Sequence, residues 1–415
     1  MRAGEAFPIA DDSTAIEAPK PPLDGVRVIE CGTLIAGPFC GQLLGDFGAE
    51  VVKVEDPGVG DPMRQWGQVK SHGLSLHWPV IARNKKSVTA NLRRSEGQVI
   101  LGRLVEKADV LVENFRPGTL EKWGLGPDRL RSLNPRLVIT RVSGYGQSGP
   151  YSPRAGFGSI GEAMGGLRYL SGEPDRPPSR VGISLGDSLA ATFAALGTVL
   201  ALRARDRSGT GQVVDSAIYE AVLSLMEAVL PEWELASYQR QRTGSVLPGA
   251  APSNVYPTAD GDEVLIAANR DTVFVRLTEV MAAPRLATDE RFATNDARSA
   301  NQELLDSIVA AWSGTMPADE VLQLLHAAGV PAGRVYQAKD MFADPHFAAR
   351  EAIVRLAHPI LGDFPVQNVA PKLSATPGSV RSLGPELGAD NDSVYREWLG
   401  MTDEEVASLR ADGVI

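Results

Sequence analysis

The stretch GVRVIECGTLIAGPFCGQLLGDFGAEVVKVEDPG, residues 25–58, limits the possible folds more than any other part of the chain. Val26–Glu30 and Val51–Glu55 are short β-branched runs of strand type. Between them Gly37-Pro38 opens a helix over Pro38–Asp46, because proline is tolerated in a first helical turn, where its missing N–H loses no partner. A strand, a helix and a second strand in such short order require a crossover connection, and a crossover implies a parallel sheet.

The alternation continues. KSVTANLR reads as a strand, SEGQVILGRLVEKA as a helix capped at Ser95, and DVLVENF and LVITRVSGYG as two more strands. Repeated βα units of this kind make a doubly wound, Rossmann-like α/β domain. Past about residue 230 the pattern changes. GDEVLIAAN reads as a strand, and NQELLDSIVAAW and ADEVLQLLHAAG as amphipathic helices, which gives a smaller α+β domain. The tail TDEEVASLRADGVI reads as a helix with Thr402 as its cap and Glu405 at the capping-box position. Residues 1–22 are polar and aperiodic and read as a flexible arm.

A net charge of −10 argues against a nucleic-acid partner, since phosphate neutralisation needs a basic surface. The two cysteines, Cys31 and Cys40, make neither a disulfide framework nor a metal set and read as buried free thiols. No unbroken apolar run reaches the ~18 residues of a membrane span, and the acidic N-terminus lacks the features of a signal peptide or presequence. A cytoplasmic setting without membrane contact is the expectation.

Glu55 ends the second strand where the ribose-binding acid of a dinucleotide fold would sit, but the turn CGTLIAG lacks the G-x-G-x-x-G pattern. What remains is a helix start at Gly37-Pro38 whose free amides offer a seat to an anion. Arg83, Lys85, Lys86, Arg116, Lys122 and Arg154 fall on loops near strand ends of one sheet. Singly each reads as a solvated charge; together they describe a groove for a phosphate-rich ligand. None of the five histidines lies between Trp78 and Leu325, and no metal-ligand or Ser–His spacing occurs. Chemistry around Asp187 therefore falls to a carboxylate, a hydroxyl or backbone amides. Leu189, Phe193, Leu196 and Leu200 form one helical stripe, which puts Asp187 at or next to an N-cap. A cap there contributes ~1 kcal/mol. An ionised carboxylate in that place is also a competent nucleophile toward an activated acyl carbon, and flanking glycines admit a bulky thioester. Spacing alone leaves both readings open.

The chain resembles the class III CoA-transferases, the family of formyl-CoA transferase and the carnitine and bile-acid CoA-transferases (CaiB/BaiF-like). The likeness runs from about Leu23 to the C-terminus through the opening βαβ stretch up to Arg64, NKKSVTANL, ADVLVENFRPGTLEKWGLG, SGYGQSGPYSPRAGF, GDS, SGTGQVVDSAIYEA, AAGVPAGRV and LGPELGADND. It implies a large α/β domain built from both chain ends (23–225 and 341–415), a small domain over 226–340, and two chains interlocked as a homodimer. It implies acyl-CoA and small carboxylic acids as substrates, with no tightly bound cofactor or metal. The family's nucleophilic Asp falls on Asp187, and its CoA-binding positions on Thr33, Ile35, Ala36, Asp56, Lys85, Asn114, Phe115 and Lys122. At Thr33, Ile35 and Asp56 the residue departs from the oxalate-specific members. Arg154 is added on its charge and its place before Gly156, and Arg64 or Arg154 is the expected partner for a second substrate carboxylate.

The family's glycine-rich lid corresponds to GSVLPGAAPSN, which keeps only Gly244 and Gly249 around Leu247-Pro248, so oxalate is a poor match. Trp66 stands where the family has an aromatic against that lid. Gly186 and the lid are the expected amide donors to tetrahedral intermediates. The related α-methylacyl-CoA racemases carry a histidine where this chain has Phe157, an aromatic that cannot move a proton.

Overall fold

The structure is a computed structural model and describes residues 20–415. The arm expected over 1–22 lies, up to residue 19, outside the described residues. Six strands form one parallel sheet: β1 (Arg27–Glu30), β2 (Glu50–Glu55), β3 (Lys85–Thr89), β4 (Val110–Glu113), β5 (Val138–Ser143) and β6 (Val213–Ala217). Their order is β3-β2-β1-β4-β5-β6, with every neighbouring pair parallel. This is the doubly wound order, and it reverses direction between β1 and β4.

Helices α1 (Ala36–Asp46), α2 (Ser95–Glu106), α3 (Gly158–Met164), α4 (Leu185–Ser208) and α5 (Ile218–Leu223) belong to this part of the chain. Strand side chains alternate between two covered faces, as in any sheet buried on both sides. Val28, Val51 and Val110 meet Cys40 and Leu44 of α1 and Ala190, Ala194 and Leu202 of α4. Ile29, Val52 and Leu111 meet Leu101 and Leu104 of α2. Two local expectations are corrected. Arg94, in extended conformation, precedes α2, so Ser95 is its first helical residue and bonds to Glu96 instead of capping. β6 was not foreseen, because its valine pair is followed by Asp215 and Ser216 on a half-exposed edge strand.

α4 is long and apolar enough, by length and composition, to cross a membrane, against the expectation that no such run exists. Asp187, Ser188, Thr192 and Thr198 interrupt the apolar sequence without lowering its overall apolar character. One face of the helix is an alanine stripe packed on the sheet. Phe193, Leu196 and Leu200, on another face, are exposed.

A second sheet, antiparallel, joins β7 (Ser253–Pro257), β8 (Glu263–Ala267) and β9 (Ala332–Arg334). It shares a core with α6 (Asp271–Val280), α7 (Gln302–Ser313) and α8 (Ala318–Ala327) around Phe274, Leu305 and Val321. The chain then returns to the large sheet. α9 (Asn391–Leu399) and α10 (Asp403–Ala411) put Val394, Tyr395, Trp398 and Val406 into the α2-side core, and the Tyr395 hydroxyl donates to the Thr89 carbonyl at 2.6 Å. The Thr402–Glu405 capping box is present.

Candidate active site

The reversal of strand order leaves a crevice at the carboxyl ends of β1 and β4, where ligands of open α/β sheets bind. The loop after β1 is clamped across it by Asn114. Thr33 N–H donates to Asn114 Oδ1 at 2.8 Å, and Asn114 Nδ2 donates back to the Thr33 carbonyl at 2.9 Å. Gly32 and Gly37 permit the clamp, since a Cβ on either would lie 3.0–3.2 Å from the Asn114 amide oxygen. Leu34 adopts a left-handed φ of 63°, uncommon for a leucine, and its N–H is tied to Asp61 Oδ1. α1 then begins with no side-chain cap, leaving its first amides toward the crevice.

Beneath the loop lies a buried charge network. Lys53 Nζ contacts Glu30 at 2.7 Å, Asp61 at 2.8 Å and the Gly32 carbonyl at 2.7 Å, while Lys85 Nζ contacts Glu30 at 2.6 Å and the Pro38 carbonyl at 2.6 Å. Burial works against the Glu30 charge, but the two ammonium groups outweigh it and hold the carboxyl below its usual range. The Lys85 charge is therefore enclosed and turned toward Glu30, away from any surface a CoA could reach. Arg64 is likewise engaged. Its guanidinium grips Glu55 with two bonds of 2.8 Å and lies 3.7 Å over the Trp78 ring. Glu55 also accepts from Ser87 and from the Asp61 N–H, which leaves the acid at the end of β2 no ribose to bind. Arg83 pairs with Asp46 and Lys86 with Glu50. Both cysteines are buried and free, and burial pushes the Cys40 thiol up to about 12.

Asp187 is the third residue of α4. Ser184 occupies the cap position, so the carboxylate is not a cap. It meets the start of α3, where the Gly158 backbone amide favours its charged form. A Cβ on Gly158 would fall 2.3 Å from Asp187 Oδ2, and one on Gly186 would fall 2.8 Å from the Gly158 carbonyl. The two glycines thus let two helix starts meet at the carboxylate. Glu162 of α3 is buried, accepts from Gly186 N–H at 3.2 Å and pairs with Arg168 at 2.7 Å. The Gly186 amide, expected as a donor to reaction intermediates, is therefore already occupied. Burial first, then the Glu162 charge, raise Asp187 to about 6, against the opposing pull of Arg180 and the Gly158 amide. At pH 7 it is mostly ionised but more basic than an ordinary aspartate. The helix start does not keep it in the usual acidic range.

Asp187 lines a cavity of about 450 Å³ together with Thr33, Ile35, Ala36, Trp66, Asn114, Phe115, Arg116, Arg154, Phe157 and Arg180. The site residues expected from sequence are thus partly gathered: Thr33, Ile35, Ala36, Asn114, Phe115, Arg154 and Trp66 share the wall with Asp187. A second cavity of about 470 Å³ continues along the strand ends, shares Thr33, Phe115 and Arg116, and contains Asp56, which pairs with Arg93. Lys122 lines neither cavity. Gly244 and Gly249 belong to a loop elsewhere; a Cβ on Gly244 would meet Glu173, and Gly249 O accepts from Asn295. Among the described residues no histidine lines the Asp187 cavity, and exposed Phe157 stands where the racemases were expected to carry one. His77, however, lies in the adjoining cavity, an approach that its distance in sequence from Asp187 did not signal. Arg180, Arg93 and Glu162 were also missed, as a loop arginine, a strand-end arginine and a helical glutamate with no motif to single them out.

The profile of the family described as CoA-transferase family III matches residues 23–391. The chain belongs to CoA-transferase family III. It is 57% identical over 96% of its length, and 99% of the relative's, to the succinyl-CoA–D-citramalate CoA-transferase of Chloroflexus aurantiacus. It is 43% identical, over 95% and 98%, to the beta subunit of that organism's succinyl-CoA–L-malate CoA-transferase. A CaiB/BaiF family protein of Brucella suis has a similar crystal structure, with a TM-score of 0.82 at 34% identity over 92% of this chain and all (100%) of that one. Membership makes the chain a CoA-transferase, an enzyme whose substrates are CoA thioesters.

Proposed function

We propose that this CoA-transferase moves CoA from succinyl-CoA to a small dicarboxylic acid of the citramalate type, with Asp187 as the nucleophile. The observation that carries the reading is the Asp187 carboxylate, titrating near 6, in the wall of a cavity that continues into the strand-end crevice. The thioester's CoA moiety lies along that crevice past Thr33, Asn114 and Phe115, with its nucleotide toward Arg116, Asp56 and Arg93. Lys85 is left out because its charge is enclosed, and Lys122 because it lines neither cavity. The choice of acids leans on the named activities of the two relatives, both of which use succinyl-CoA.

The chemistry balances without metal, nucleotide or redox partner. Asp187 attacks the succinyl carbonyl, forming a mixed anhydride and expelling CoA thiolate. The thiolate attacks the Asp187 carbonyl, releasing succinate and leaving an aspartyl–CoA thioester. The acceptor carboxylate attacks that thioester to give a second anhydride and thiolate, and the thiolate then takes the acceptor's acyl group and frees Asp187. A basic carboxylate with a pKa of about 6 is a better nucleophile than an ordinary aspartate and is still ionised at pH 7.

The functional unit of this reading is a homodimer. Phe193, Leu196 and Leu200 of α4, and Leu230, Trp233 and Leu235 after α5, are exposed apolar residues of the kind a partner subunit covers. Incubation with succinyl-CoA followed by intact-mass measurement tests the chemistry. The expected result is a CoA adduct that hydroxylamine removes and that Asp187→Asn never forms. Full transfer activity in Asp187→Asn would overturn it, and α-proton exchange on a 2-methylacyl-CoA in deuterated water would point to a racemase instead.

A further inference from the structure

Three arginines line the Asp187 cavity, and two of them are engaged. Arg116 Nη2 donates to the Pro153 carbonyl at 2.8 Å, and the Arg154 guanidinium lies 3.6 Å over the Tyr151 ring. Arg180 makes no hydrogen bond or ion pair among the described residues and is exposed. The two also sit at opposite ends. Arg116 is on the rim shared with the strand-end cavity, whereas Arg180 is where the Asp187 cavity opens into another of about 840 Å³. These last two cavities share Ile35, Trp66, Arg180 and Ser184.

That farther cavity has the character of an acyl pocket. Ile35, Trp66, Leu76 and Val80 give it apolar walls, and among the described residues no carboxylate lines it and Arg180 is its only lysine or arginine. His77 is its other titratable side chain. Arg180 is also close enough to Asp187 for its charge to oppose the upward shift of that carboxylate. With CoA approaching from the strand-end side, the acyl chain of a thioester at Asp187 points toward Arg180. Of the two arginines expected to meet a second carboxylate, Arg154 stacks on Tyr151 and Arg64 is held by Glu55.

We propose that Arg180 is the specificity-determining residue that selects dicarboxylic substrates, gripping the far carboxylate while the near carbonyl reacts at Asp187. This rests on the reading of Asp187 as the nucleophile. A planar guanidinium with no partner of its own matches a carboxylate with two parallel hydrogen bonds, which an ammonium does not reproduce.

The test compares single-turnover formation of the enzyme–CoA adduct from succinyl-CoA and from butyryl-CoA, which differ in the terminal carboxylate. In Arg180→Met the ratio of the two rates falls on the order of 10–100-fold from its wild-type value, the worth of a charge-assisted hydrogen bond. Arg180→Lys falls between them. An unchanged ratio, whether both rates drop or neither does, overturns the proposal. Succinamoyl-CoA, the neutral isostere, makes the same test on the wild-type protein without any substitution: equal rates for succinyl and succinamoyl thioesters also overturn it. Absence of an adduct from every thioester is a different result, and it would refute the Asp187 reading itself.

Discussion

Glu162→Gln changes the charge beside Asp187 while leaving an oxygen in place to accept from Gly186 N–H. In the wild-type protein Asp187 titrates near 6, so about nine-tenths of it is ionised at pH 7 and about one-tenth at pH 5. If the carboxylate is the nucleophile, kcat/KM for succinyl-CoA falls tenfold per pH unit below about 6. Two effects lift this pKa: burial, the larger, and Glu162. The variant keeps the first and loses the second, and Arg168, freed from its pair with Glu162, pulls in the same direction. Arg180 continues to favour the anion, and Arg116 and Arg154 on the same wall are unchanged. The acid limb therefore moves below 6 but stops short of the ordinary aspartate value of 3.8, at which about nine-tenths would be ionised at pH 5. Relative to its own plateau, the variant at pH 5 retains more than the wild-type tenth. The assay is initial-rate transfer between pH 4.5 and 8 in buffers of constant ionic strength. General structural damage lowers the plateau without moving the inflection. A limb that stays near 6, or rises, would refute the assignment of Glu162. A wild-type profile with no inflection between 5 and 7 would refute that of Asp187. For stability the pH dependence is opposite in sign: the fold keeps Asp187 neutral where the unfolded chain has ionised it, so the contribution is full below pH 3.8, falls as pH rises towards 6 and is gone above about 6.

Other substitutions separate chemistry from scaffolding. Gly158→Ala puts a methyl group 2.3 Å from Asp187 Oδ2, so turnover falls on the order of 100-fold in a protein that still folds; activity within a few-fold of wild type would contradict the placement. Lys85→Met leaves Glu30 with one buried partner instead of two and costs about 3–5 kcal/mol of stability in denaturant titration. If acyl-CoA KM rose instead with stability unchanged, Lys85 would be a CoA ligand after all. Leu200→Glu puts a charge on the exposed apolar face of α4, and sedimentation is expected to show the mass of a single chain. A dimer that persists would move the interface elsewhere.

Strands β1 to β5 and helices α1, α2 and α4 were legible because hydrophobic periodicity follows directly from burial, and β1 to β5 fall where their β-branched runs lie, whereas the short α3 and α5 left no such signal. β6 was hidden because an edge strand buries too little to enforce such a run. At the site, spacing left Asp187 between cap and nucleophile, the family resemblance favoured the nucleophile, and its environment was not readable. Whether a carboxylate in a first turn caps the helix or meets a second helix start depends on α3, and Gly158 and Glu162 approach it only through the tertiary fold. The basic residues show the same limit. Lys85, Arg64 and Arg180 are alike as basic residues in the sequence, yet Glu30 encloses the first, Glu55 grips the second, and no described residue holds the third.

The central claim is that oxygen passes through Asp187, and isotope transfer tests it most directly. When an acceptor acid labelled with heavy oxygen attacks the aspartyl–CoA thioester, the bridging oxygen of the new anhydride comes from the acceptor. The thiolate then removes the acceptor's acyl group and leaves that oxygen on the enzyme. After turnover with succinyl-CoA and labelled acceptor, the peptide containing Asp187 is expected to carry heavy oxygen on that side chain. Efficient transfer with Asp187 unlabelled would contradict the covalent route, because CoA would then have passed between the two acids without bonding to the enzyme.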